Sequence, residues 1–264
     1  MVNFEFREHY TAEDLVKIVE ILRHPGGCPW DREQTHESLR RCLAEETCEV
    51  LEAIDRKDDV LLCEELGDVL LQVVFHASLA ADAGKFDWND VADGISKKMI
   101  FRHPHVFGTE RADSTDQVLA NWDEIKRVEK GQKTETETLE SVARTLPGLW
   151  RAEKLQKKAA KSGIVQPTLA GEVQRLQAAQ ENLDTAVTAE KGDLTAALGQ
   201  VLFAAAGVAL QAGIDPEEAL HAACEEYIAH FSRAEHSLQE QERAGSALTA
   251  EEAAQLWRET TEEG

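Results

Sequence analysis

The chain has 264 residues and a formal charge of −22, which makes a nucleic-acid backbone or an anionic membrane a poor partner, since both are bound chiefly by Lys and Arg. Apolar residues make up 42% and aromatics 6%, and with only 6 Pro the Ala-, Glu-, Leu-, Gln- and Lys-rich composition favours an all-α chain of one large or two small domains. The cysteines Cys28, Cys42, Cys48, Cys63 and Cys224 form no C-x-x-C pair, so no zinc site is expected, and their odd number without framework spacing fits a reducing, cytoplasmic setting.

In chain order, the opening MVNFEFREHY is mixed and acidic, without the apolar core of a signal peptide. Residues 11–24 read as an amphipathic helix with Leu15, Ile18, Val19 and Leu22 on one face, ended by Pro25-Gly26-Gly27. Asp31-x-x-Gln34 reads as the cap of a following turn. Helical periodicity then covers 38–57, 60–83 and 88–102, where His103-Pro104 stops it, and resumes over 115–130.

The polar stretch 131–138, GQKTETET, reads as a linker. A basic helical stretch follows over 139–162. Ala197 to Gly213 is the most apolar run, but Gln200 and Gln211 interrupt it, so it reads as a core helix and not a membrane span. Leu66-Gly67-Asp68-Val69-Leu70 recurs as Leu198-Gly199-Gln200-Val201-Leu202, and Ala83-Gly84 recurs as Ala212-Gly213. This faint repeat predicts two related helical modules, 1–130 and 139–264, joined by 131–138.

The chemistry concentrates on two helices of the first module. At about 100° per residue, Leu39, Leu43, Val50 and Ile54 share a face of the helix over 38–57. Glu46 falls in the middle of that face and Glu49 at its edge, while Glu45 and Glu52 point outward. The helix over 60–83 is apolar nearly all round, except for one stripe formed by Glu65, Asp68, Gln72 and His76. A carboxylate on an apolar face is costly unless it is paired or bound to metal. Acids at i and i+3 stand roughly 5–6 Å apart at Cβ, so Glu46, Glu49, Glu65 and Asp68 are expected to converge as hard oxygen donors suited to Mg²⁺ or Mn²⁺. A di-iron carboxylate bundle needs Glu-x-x-His steps, and here the corresponding steps end in Glu49 and Asp68. His76 reads as a core histidine or one supporting the acids from behind.

GGCPWDREQTHESLRRCLAEETCEVLEAI, EELGDVLLQVVFHA, KKMIFRHPHVFG and WDEIKRVEK together closely resemble the MazG nucleotide pyrophosphohydrolases. The resemblance is strong over 11–130 and weak over 139–264. It implies an all-α fold of two MazG-like helical-bundle modules, a homodimer, and Mg²⁺-dependent hydrolysis of nucleoside triphosphates to monophosphate and diphosphate, a house-cleaning role in nucleotide metabolism. It implies Glu46, Glu49, Glu65 and Asp68 as metal ligands; on chemical grounds Glu46 or Glu49 is the expected general base. Lys98 and Arg102 would contact the triphosphate, Trp122 would stack on the base, and Lys126 would bind phosphate. Glu45, Trp30 and Asp31 are secondary candidates.

The second module departs from this pattern. Ala197 and Gln200 stand where the second acid pair belongs, Glu226 and His230 where Lys and Arg belong, and Thr261 follows Trp257 where a Lys belongs. That module is therefore expected to be catalytically silent, serving packing, dimerisation or regulation. The rival expectation is a dimeric helical nucleotide sensor with little or no turnover.

Overall fold

A computed structural model describes residues 4–109, 114–129, 131–189, 193–240 and 248–262. Among these residues thirteen helices form and no strand does. The chain divides into two compact units, Met1–Ile125 and Lys126–Gly264.

The first unit contains α1 (Ala12–Arg23), α2 (Pro29–Glu33), α3 (Arg40–Arg56), α4 (Asp59–Asp82), α5 (Trp88–Arg102) and α6 (Pro104–Phe107). The boundary between units falls within α7 (Thr115–Glu129). Lys130, the last residue of the helix expected over 115–130, lies outside the described residues.

Thr11 and Asp14 close a capping box at the start of α1, each side chain accepting the other's backbone N–H. Val19 of α1, Leu39 before α3, and Val74 and Phe75 of α4 form a buried cluster, flanked by Leu15, Val16, Leu71, Leu79 and Trp88. Each such side chain contributes about 1.5–3 kcal/mol when fully buried. Beside this cluster the buried Arg23 reaches from α1 to α4, donating to Ser78 and pairing with Asp82 at 2.7 Å.

α3 and α4 form a tight antiparallel hairpin. Lys57 turns it in the left-handed region at φ 54°, and Asp58 then caps α4 by accepting from the N–H groups of Val60 and Leu61. This short connection sets the register that brings the acids of the two arms face to face. Ile54 departs from the expected apolar face: it is 51% exposed, because the last turn of α3 runs past the core.

The second unit contains α8 (Glu135–Glu140), α9 (Gly148–Lys161), α10 (Leu169–Thr188), α11 (Leu194–Ala212), α12 (Pro216–Glu240) and α13 (Ala250–Glu262). α10 and α11 form its hairpin, with α9 packed on α11 much as α1 packs on α4. The continuous basic helix expected over 139–162 is broken between α8 and α9. Pro147 is the reason, since it lacks an N–H and disfavours helical backbone at the residue before it. α8 itself begins inside the polar stretch 131–138, where Thr134 and Glu137 form a capping box.

Among the described residues α11 is long and apolar enough to cross a membrane by length and composition. Inside its unit it lies against α10 and α9, burying Ala204, Ala206 and Gly207. Its opposite face leaves Leu194, Leu198 and Leu202 about half exposed.

Candidate active site

The periodicity of α4 sets Glu65, Asp68, Gln72 and His76 along one side of the helix, and α3 faces them with Glu46 and Glu49. Carboxylate oxygens of Glu46, Glu49 and Glu65 all lie within 4.8 Å of one another. Asp68 is close enough to act on both Glu46 and Glu65. Glu46, Glu65 and Asp68 are half-buried, whereas Glu49 is exposed at the edge.

The electrostatics follow from this crowding. Burial is the largest effect pushing the Glu46 carboxyl above its ordinary range, followed by a hydrogen bond with Glu49 and repulsion from Asp68, Glu49 and Glu65. The Glu65 carboxyl is also raised, first by burial and then by Glu49, Asp68 and Glu64. No Lys or Arg figures among these leading influences. Acids crowded in this way form the oxygen-rich donor set that a hard divalent ion fits. Glu45 and Glu52 stand apart on the outer side of α3, paired with Arg41 at 2.7 Å and with Arg56.

The other candidates lie on α5 and α7. Lys98 is exposed and Arg102 half-buried, one turn apart on α5. Trp122 of α7 lies 5.9 Å, centroid to centroid, from His103, the residue after Arg102. His103 is in turn 5.7 Å from His105 and holds its Nδ1 2.6 Å from the Met99 carbonyl. The His-Pro-His turn thus packs Trp122 beside the end of α5. Lys126 follows one turn after Trp122 on α7.

Asp31 does not cap a following turn. It lies buried within α2, and the Gln34 amide instead donates to the Trp30 carbonyl at 2.8 Å. Trp30 is 59% exposed. Two surface cavities, of about 450 Å³ beside Gly131 to Ser141 and about 330 Å³ under the N-terminal segment, contain none of the acids. The acids lie on the facing sides of α3 and α4.

Sequence reasoning passed over His36. Its Nδ1 lies 2.8 Å from Nδ1 of His76, with the rings stacked 5.1 Å apart. His36 precedes α3 in a non-helical turn, so periodicity gave no sign of it. The antiparallel register was the available signal, since it carries the residues before α3 toward the far end of α4.

In the second unit Ala197 and Gln200 stand at the matching place, and among the described residues no carboxylate cluster like that of α3 and α4 forms there. His230 lies on Trp257 with centroids 3.8 Å apart. Its Nε2 is 3.0 Å from the Trp257 carbonyl, 2.9 Å from Thr260 Oγ1 and 3.1 Å from Thr261 Oγ1. The ring therefore packs on the face of Trp257.

A family model described as the MazG nucleotide pyrophosphohydrolase domain matches residues 34–107, which span both arms of the acidic hairpin. The chain is 40% identical over 228 residues to the nucleoside triphosphate pyrophosphohydrolase of Escherichia coli K12, covering 84% of this chain and 86% of that one. It is 37% identical over 245 residues to the nucleoside triphosphate pyrophosphohydrolase/pyrophosphatase MazG of Thermotoga maritima, covering 93% of each. It is also 41% identical over 247 residues to the uncharacterized protein YabN of Bacillus subtilis, of which it spans half the length. With an all-helical fold and relatives matched over nearly their whole length, the chain belongs to the MazG family of nucleotide pyrophosphohydrolases.

Proposed function

We propose that the acidic cluster between α3 and α4 is the centre at which this chain hydrolyses nucleoside triphosphates to monophosphate and diphosphate, with Mg²⁺ as the natural ion and Mn²⁺ as a substitute. The observation that carries the reading is the meeting of Glu46, Glu49 and Glu65 oxygens within 4.8 Å, with Asp68 beside them. Triphosphate and acids are both anionic, so they associate only through cations. Glu46, Glu49, Glu65 and Asp68 would hold the ion. Once bound, it supplies charge neutralisation at the phosphates and a more acidic water.

The chain's own groups would do the rest. Glu46 or Glu49 takes a proton from the attacking water as general base, an effect worth about 10²–10⁴-fold. Lys98, Arg102 and Lys126 offset the charge that builds on the departing diphosphate, and Trp122 stacks on the base. Trp30 and Asp31 shape the turn before α3, while Glu45, held by Arg41, stays outside the chemistry. The module 1–130 carries this activity, 131–138 joins it to 139–264, and the second module is catalytically silent. The protein works as a cytoplasmic homodimer, its large negative charge keeping it from nucleic acid and anionic membranes.

The test is pyrophosphate release by the full chain with Mg²⁺. Glu49→Gln and Asp68→Asn are each expected to lower kcat at least 100-fold, since each removes a charge from the ion-binding set. Glu49→Gln is expected to leave no second activity, because Ala197 and Gln200 give the second module nothing to hold an ion with. Wild-type rates in both variants would end the four-carboxylate reading. Nucleotide binding without product, followed by phosphorus NMR, would favour the sensor.

A further inference from the structure

The polar stripe of α4 continues beyond the acids. Gln72 follows Asp68 by one turn and His76 follows Gln72 by another, about 6 Å and 12 Å along the axis. Gln72 is only 7% exposed, yet its Oε1 accepts no hydrogen bond. A buried carbonyl without a donor is destabilising and uncommon in a folded protein, so a function is the natural explanation for keeping it. At the end of the stripe His76 meets His36 through Nδ1 at 2.8 Å. Burial first, and then the neighbouring His36, hold the His76 imidazole below its usual range. The seam thus changes from acids, through an amide, to a pair of imidazoles.

The internal repeat supplies a second observation. Against Glu65, Asp68, Gln72 and His76 it sets Ala197, Gln200, Ala204 and Val208. The framework residues Leu66, Gly67, Val69 and Leu70 are kept as Leu198, Gly199, Val201 and Leu202. Ala204 packs at 1% exposure in a hairpin that forms without any amide there. Gln72 and His76 have therefore gone together with the acids, while the fold has stayed.

We propose that Gln72 is the hydrogen-bonding contact to the nucleoside of the triphosphate, with the His36–His76 pair closing the far end of that subsite. The inference rests on the reading of the acids as the hydrolytic centre: phosphates sit at the acids, and the nucleoside extends along α4 toward Gln72. A free Oε1 requires a donor from its ligand. A sugar hydroxyl, a ring N–H or an exocyclic amine provides one, and an ionised phosphate does not. This contact adds polar readout to the stacking assigned to Trp122.

The test is Gln72→Leu, close in volume and without the polar end, with Gln72→Met as a second apolar variant. Both are expected to melt at or above the wild-type temperature, since the unpaired carbonyl is gone. KM for the preferred triphosphate should rise about tenfold, the scale of one lost hydrogen bond, with kcat within about twofold. Selectivity should flatten either among bases or between ribose and deoxyribose, which tells the two donors apart. Mn²⁺ binding at the acids, followed by electron paramagnetic resonance, should not change. A non-hydrolysable α,β-methylene triphosphate should bind about tenfold more weakly to the variants, a readout independent of turnover. Unchanged KM, selectivity and analogue binding would overturn the proposal, as would loss of folding in both apolar variants. Absence of wild-type turnover with weakened analogue binding in Gln72→Leu would instead sink the hydrolytic reading and leave the nucleoside contact standing.

Discussion

Gly27 shows how one residue positions the entrance to the acidic hairpin. A Cβ added there would lie 2.2 Å from the Ile21 carbonyl oxygen and 2.3 Å from that of Leu22. Both are backbone atoms of the last turn of α1, so neither moves without opening the helix. Only glycine lets the chain fold back closely enough for the Cys28 N–H to reach the Leu22 carbonyl at 2.8 Å. Gly27→Ala is expected to cost about 1–3 kcal/mol, the usual range for overpacking. It should also displace Trp30 and the buried Asp31, which follow directly. Urea unfolding measures the first effect, and the emission of the exposed Trp30 reports the second. A stability within about 0.5 kcal/mol of wild type would show that the turn has room to spare.

Single helices show the same dependence on a few side chains, and Asp215 is the clearest case. It precedes Pro216, the first residue of α12, and accepts from the N–H groups of Glu217 and Glu218. It also accepts from the Trp150 indole of α9 at 2.9 Å, and so fixes α9 against the start of α12. Burial alone would raise this carboxyl. The hydrogen bonds from Trp150, Glu218 and Glu217 outweigh burial and hold it below its ordinary value of 3.8. A carboxyl lowered in the folded state adds stability that is present above its unfolded pKa and is lost as pH falls through its folded one. Asp215→Ala is therefore expected to cost about 1–2 kcal/mol at pH 7, and the gap from wild type should shrink once pH drops below 3.8. Circular dichroism melts at several pH values decide this; a gap constant down to pH 2.5 would remove the ionised carboxylate from the explanation.

Elements were legible wherever one local rule decided them. The apolar period of α3 and α4 and the inward setting of Glu46, Glu65 and Asp68 follow from helix geometry alone. The break between α8 and α9 was written in Pro147 but masked by the run of basic and apolar residues on either side. His36, and the burial of Asp31 within α2, were not legible, because each depends on where a non-helical turn lands against another helix. Ile54 was misplaced because its helical face is apolar beyond the reach of the core.

That surplus of apolar surface bears on the whole molecule. Among the described residues few large side chains are fully buried, and Leu39, Val19 and Val74 are the largest. Leu66 of α4 is 50% exposed, and Leu198, its repeat counterpart on α11, is 49% exposed. Leu194 and Leu202 extend the same face of α11 by a turn in each direction, and Tyr227, Ile228 and Phe231 lie open on α12. Apolar rows of this extent are uncommon on a monomer, and they predict a covering partner chain. A second copy is the economical occupant, since it offers the same rows to itself across a two-fold axis. The chain is therefore expected to run at twice its mass of 29.3 kDa in light scattering. Leu198→Asp paired with Leu202→Asp should shift it toward the monomer, because each carboxylate would have to be desolvated in the interface. These positions lie in the second unit, away from the four acids in sequence, so a loss of hydrolysis on dissociation would mean that the acidic cluster itself needs the assembled dimer. A wild-type mass of 29.3 kDa at micromolar concentration would instead require these leucines to be simple surface residues.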